Sequence, residues 1–272
     1  MRFVEEPVTL RLDRDGAALW VRLARPEARN AIDPTMRDEL RRALADADAD
    51  PTVRCLAITG TGTEFCTGAD LTPAQAGGAT AAERPVSVLD YRRAVVPYQE
   101  LFRTLWELET PVVSAVNGTT AGAGWMLALM ADLVVAAQGA RWIHAFSRRG
   151  MVPHAGDPFF LPRLLPLHRL NEAAMLGETL TSETLHAWGA VNRLVPAEQV
   201  EATATDLARR LAEGPTRSLG LTKRLYRRAL VSDMATAFGE EAAATALISQ
   251  TADRLEGVRS LLEGRRPTFT GT

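Results

Sequence analysis

The chain has 272 residues, 46% of them hydrophobic and 24% charged, with a formal net charge of -2. That length and apolar content suffice for a sizeable core and exclude a disordered chain. The near-neutral charge balance gives no electrostatic case for nucleic acid or an anionic membrane as a partner.

Residues 8–23, VTLRLDRDGAALWVRL, alternate apolar and polar on both sides of Asp15-Gly16, the pattern of a β-hairpin. Asp33-Pro34 then supplies an N-cap and a first-turn proline for an amphipathic helix over TMRDELRRALADADA. Short apolar runs at 53–60, 111–116 and 132–137 read as buried strands, and 87–108 has helical spacing that Pro97 must kink or split. Between the second and third of these strands lies NGTTAGAGWMLALMAD (117–132), a glycine-rich turn feeding an apolar helix. From 200 to 265 the Ala/Leu/Glu-rich sequence is helical, with apolar faces that must pack on the core or on a neighbouring subunit. Two cysteines, Cys55 and Cys66, fit a reduced compartment; no apolar stretch reaches the roughly 18 residues of a spanning helix, and the acidic opening MRFVEEPVTL reads as no signal peptide. A cytoplasmic protein is expected.

The glycine turn is not a phosphate loop, because no Lys-Ser or Lys-Thr follows it and its spacing is not GxGxxG. RPEARNAI (25–32), FCTGADL (65–71), NGTTAGAGWMLALMADL (117–133), FSRRGMVPHAGD (146–157) and EGRRPTF (263–269) occur in an order and spacing that resemble the crotonase superfamily, the enoyl-CoA hydratase/isomerase family, over nearly the whole chain. The resemblance implies an α/β fold, a spiral of repeated ββα units, with an acyl-CoA-binding core over 1–199 and a helical trimerisation segment over 200–272. It also implies an acyl-CoA thioester as substrate, no cofactor beyond the coenzyme A that the substrate carries, and a homotrimer or a hexamer built as a dimer of trimers.

By the same resemblance the amides of Ala69 and Ala123 form an oxyanion hole for the thioester oxygen, Gly122 and Gly124 keep the turn tight, and Gly68, Gly122 and Phe146 contact the substrate. The other reading is that both glycine clusters are ordinary strand-to-helix turns. Arg25, Ala28 and Asn30 match the nucleotide-side loop, Asp70 and Leu71 flank adenine and pantetheine, and Arg265, Arg266 and Phe269 approach the nucleotide unless the arginines are a solvated tail. Arg29, on the same loop, has a solvent-facing position as its alternative reading.

The two acids of a hydratase are missing, since their positions are held by Met126 and Phe146. In related isomerases an aspartate stands at the position of His154. An imidazole, with an ordinary pKa of about 6.5, takes and returns a proton at neutral pH. If 154–157 opens a helix, His154 and Asp157 share a face and Asp157 orients the ring. Otherwise His154 is a neutral residue at a helix start and Asp157 a first-turn acid complementing the dipole. His144, two residues before Phe146, is a second candidate, with an edge-strand histidine as its plain alternative. His168 and His186 read as helix-surface residues, and Tyr226, Trp125 and Met126 as core or acyl-pocket lining. Cys66 has no histidine partner in prospect, and no HxxxH or CxxC spacing suggests a metal. The expected function is therefore an isomerase-type enolate reaction with His154 as proton shuttle. Hydration or C–C/thioester cleavage using water activated by His154 and Asp157 stays open, as does a non-catalytic acyl-CoA-binding member. Residues 72–86, rich in Gly, Ala and Pro, are expected to form a mobile loop shaping the acyl end.

Overall fold

The computed structural model describes residues 6–71 and 87–272. In chain order the elements are β1 (Leu10–Asp15), β2 (Ala18–Leu23), α1 (Pro34–Ala49), β3 (Cys55–Gly60), α2 (Val88–Glu107), β4 (Val112–Val116), β5 (Thr120–Ala121), α3 (Ala123–Leu129), β6 (Leu133–Ala137) and β7 (Arg141–Ile143). They continue with α4 (Asp157–Leu164), α5 (Leu167–Leu176), β8 (Thr179–Thr181), α6 (Ser182–Ala187), β9 (Arg193–Val195), α7 (Val200–Ala212), α8 (Thr216–Ala229), α9 (Met234–Ile248) and α10 (Ala252–Leu262).

The expected hairpin is β1–β2, turning at Gly16 with φ 59°, and Asp33 caps α1 by accepting from the Met36 N–H at 2.8 Å. α2 runs through Pro97 as one helix, so the proline does not split it. β1 and β2 are antiparallel, and the larger sheet continues β2-β3-β4-β6-β9 in parallel. A smaller sheet, β5-β7-β8, forms a second layer. Parallel bridges Ile32↔Ala69 and Cys66↔Thr120 extend that layer, so successive strand–strand–helix units wind as a spiral.

β3, β4 and β6 are buried on both faces, which explains their continuous apolar runs. Leu56, Ile58, Val112 and Val116 face the core under α1, α2 and α3, while Ala57, Val113 and Ala115 face α7 through Ala204, Leu207 and Ala208. α7, inside the segment read as a C-terminal appendage, thus completes the sheet's second face.

α8 is tied down by charge. Asp132, just before β6, accepts from Lys223 at 2.7 Å and Arg227 at 3.0 Å, and also from the Val112 N–H at 2.8 Å. Burial pushes the Lys223 ammonium below its ordinary value, opposed by Asp132. Replacing Asp132 by Ala leaves two part-buried cations without their carboxylate and is expected to cost about 2 kcal/mol, the scale of hydrogen bonds to a charged group. Thermal unfolding checks this, and an unchanged midpoint contradicts it. Tyr226, expected in the core or the acyl pocket, instead lies 73% exposed, off the face that Lys223 and Arg227 turn inward. Among the described residues no helix is long and apolar enough to cross a membrane.

Candidate active site

The two glycine turns meet because their backbones pair. The Cys66 N–H donates to Thr119 O at 3.2 Å and the Ala121 N–H to Cys66 O at 2.9 Å. On its other side the first turn pairs with the chain after Asn30: Ile32 N–H to Gly68 O at 2.7 Å and Asp70 N–H to Ile32 O at 2.9 Å. This approach needs glycine. A Cβ on Gly124 would stand 2.2 Å from Cys66 O, and one on Gly68 would stand 2.7 Å from Ala121 O and 3.2 Å from Ala123 N. Gly68 (φ 91°) and Gly122 (φ 50°) also adopt backbone angles that side chains disfavour.

The outcome is a pair of amides left free. Ala123 opens α3, where an N–H has no intrahelical acceptor. Among the described residues neither the Ala69 nor the Ala123 N–H donates to the protein. Both residues line one cleft of about 250 Å³, together with Asp70, Leu71, Gly122, Phe146 and His154. Tyr91, Val95 and Tyr98 close it from α2, and Met151 and Arg149 from the turn after Phe146. These wall residues were not picked out from the sequence, although 91, 95 and 98 form an i, i+4, i+7 stripe that signals one helix face.

His154 is half-buried in the cleft wall. Its Nδ1 lies 3.2 Å from the Val152 carbonyl, which only accepts, so Nδ1 carries a proton and Nε2 offers its lone pair. The ring packs edge-on to Phe146, with centroids 4.9 Å apart. Burial pushes the Tyr98 phenol up to about 12, and its hydroxyl donates to Ile32 O at 2.8 Å. Burial likewise pushes the Cys66 thiol up to about 12, which removes it as a nucleophile at neutral pH.

Asp157 does not orient His154. Its carboxylate binds His144 Nε2 at 2.8 Å, and both residues are buried. The reason is local: Ala155 (φ 60°) and Gly156 (φ 88°) are left-handed, so α4 begins at Asp157 and the assumed helical spacing from 154 never forms. His144 is accordingly a core residue. Met126, within α3, is wholly buried and does not line the cleft, whereas Phe146 does. No carboxylate stands at either position.

The residues expected on the nucleotide side play mainly internal parts in this chain. Arg25 donates to Ala31 O at 2.6 Å and Asp70 at 3.0 Å. Ala28 lies in the short turn Pro26–Ala28, and the buried Asn30 side chain donates to Thr61 O at 2.9 Å and Glu64 O at 2.8 Å. Arg266 is exposed, Arg265 is held by Glu256 at 2.9 Å, and Phe269 packs over Gly257. Arg25, Ala28, Asn30, Arg265, Arg266 and Phe269 do not line the cleft, whereas Asp70 and Leu71 do. His168 and His186 are exposed on α5 and α6. Residues 72–86, expected to shape the acyl end, lie outside the described residues.

A larger cleft of about 740 Å³ opens beside Trp106, but its charged walls are mutually paired, Arg224 with Glu109 at 2.7 Å and Arg228 with Glu240 at 2.5 Å. Among the described residues no group of three or more His, Cys, Asp or Glu could hold a metal ion.

The model of the enoyl-CoA hydratase/isomerase family matches residues 13–272. The chain belongs to that family. It is 38% identical over 250 residues to the 1,2-epoxyphenylacetyl-CoA isomerase of Escherichia coli K12, covering 92% of this chain and 93% of that protein. It is 32% identical over 270 residues to the carnitinyl-CoA dehydratase of Salmonella heidelberg, covering 97% and 98%. The solved enoyl-CoA hydratase of Polaromonas sp. JS666 superposes with a TM-score of 0.88 at 29% identity, covering 96% and 99%. Enoyl-CoA hydratase/isomerase relatives therefore share the spiral fold seen here while their named reactions differ, so the reaction must be argued from the site.

Proposed function

We propose that this chain binds an acyl-CoA thioester, stabilises its enolate between the N–H groups of Ala69 and Ala123, and moves a double bond with His154 as the proton carrier. The observation that supports this best is the convergence of two free backbone amides and one histidine in a single cleft. His154 Nε2 takes a proton from C2 of a 3-enoyl thioester, the electron pair moves onto the carbonyl oxygen, and the two amides hold that charge. Return of the same proton at C4 gives the 2-enoyl product, so atoms and charge balance without a cofactor. The likeness to an isomerase of an acyl-CoA agrees with this direction. Water activation by a His154–Asp157 pair is disfavoured because Asp157 is committed to His144.

Assay with trans-3-hexenoyl-CoA, crotonyl-CoA and acetoacetyl-CoA tests the proposal. Migration of the double bond in the first is expected; binding of all three without turnover would instead indicate a non-catalytic acyl-CoA-binding member. Hydration of crotonyl-CoA is expected to be negligible, because Met126 and Phe146 cannot position or protonate water. Fast hydration contradicts this reading. Introducing Glu at Met126 is expected to destabilise rather than convert the enzyme, since it buries an unpaired carboxylate.

The assembly proposed is a homotrimer or a dimer of trimers, in the cytoplasm. Its support is apolar surface on and between α8 and α9, with Leu230, Val231, Met234 and Phe238 each at least half exposed in the single chain. Sedimentation at micromolar concentration checks it, and a stable monomer contradicts it.

A further inference from the structure

The buried pair of His144 and Asp157 takes part in no step above. Their side chains are 1% and 5% exposed and the Nε2–Oδ2 distance is 2.8 Å. The Asp157 carboxylate only accepts, so His144 donates from Nε2, and its Nδ1 is left buried with no partner among the described residues. Such a pair offers little net stability over two apolar side chains of similar volume, and the orphaned nitrogen is a further cost.

Its place in the chain suggests what it does. His144 follows β7 and Asp157 opens α4, so the bond closes the base of the loop 145–156 that carries Phe146 and His154. A stack of rings then leads from the pair to the cleft. His144 packs on Phe146 with centroids 5.2 Å apart at 60°, and Phe146 packs on His154 at 4.9 Å and 71°. Behind the pair, Trp125 lies 5.5 Å from His144 and belongs to α3, the helix that begins with the Ala123 amide. The hydrogen bond thus ties together the two ends of the loop bearing the proton carrier, and ring packing on Trp125 sets that base against the helix bearing an oxyanion donor.

We infer that His144 and Asp157 are positioning residues: their bond pins the 145–156 loop so that Phe146 fixes the plane of the His154 ring over the cleft. This rests on the reading of His154 given above. Neither residue lines the cleft, so neither touches substrate.

The test compares the double variant His144→Met/Asp157→Ala with Asp157→Asn, whose amide oxygen still accepts from His144. The double variant is expected to fold, to keep its KM for trans-3-hexenoyl-CoA, and to lose about 10²-fold in kcat, the scale of a small misplacement of a reacting group. Asp157→Asn is expected to retain most of the turnover. A second readout is the histidine ring ¹H–¹⁵N spectrum, in which the His154 signals broaden or split in the double variant and stay single in Asp157→Asn. Should the double variant fail to fold, Asp157→Ala against Asp157→Asn makes the same comparison. Wild-type kcat together with an unchanged His154 spectrum overturns the inference. Normal turnover in His154→Ala overturns the reading of His154 instead, and the ring spectrum then judges the positioning claim alone.

Discussion

Replacing Ala123 with proline is expected to lower turnover of trans-3-hexenoyl-CoA by about 10²–10³-fold in a protein that remains folded. The substitution is unusually selective. Ala123 is the first residue of α3, the helix position where proline is best tolerated because its missing N–H has no intrahelical partner. What disappears is the amide facing the cleft. A donor aimed at a developing oxyanion contributes about 3–4 kcal/mol, and its loss falls on kcat because the charge develops only as C2 is deprotonated. The Ala69 amide keeps part of the effect, so activity does not vanish. Circular dichroism establishes folding and steady-state kinetics read the loss. Undiminished kcat in a folded variant would show that the oxyanion is held elsewhere.

His154→Ala is expected to lower kcat by about 10²–10⁴-fold with KM little changed, the usual scale of general acid–base help. Among the described residues lining the cleft, His154 is the side chain that presents a ring nitrogen with a free lone pair. Asp70 is bound to Arg25, and the Tyr98 phenol is raised by burial and donates to a carbonyl. Nδ1 of His154 is anchored on Val152 O, which leaves Nε2 for the substrate. Truncation removes the proposed proton carrier but leaves the Ala69 and Ala123 amides in place. If kcat in His154→Ala matches wild type, proton transfer belongs to another group.

Local features of this fold were legible in the sequence because short stretches determine them. The Asp15-Gly16 hairpin and the Asp33-Pro34 start of α1 are set by turn and cap chemistry within a few residues. The apolar runs of β3, β4 and β6 followed from burial on both faces. The meeting of the two glycine turns is a long-range event, Cys66 with Thr120 and Gly68 with Ala123, which periodicity cannot reveal and which only family resemblance suggested. Asp157 was misplaced because nothing in Ala155 advertises a left-handed residue ahead of Gly156, and those two successive left-handed angles move the start of α4 and hand the carboxylate to His144. The cleft wall from α2 was encoded as Tyr91, Val95 and Tyr98, but an amphipathic stripe does not say whether it faces a core or a ligand.

A crystal structure with a non-reacting acyl-CoA, such as hexanoyl-CoA, tests the central claim most directly. The thioester oxygen is expected within about 3 Å of both the Ala69 and Ala123 nitrogens, the geometry of two hydrogen bonds, with C2 facing His154 Nε2. A thioester seated away from these amides, for instance in the larger cleft beside Trp106, would contradict the account.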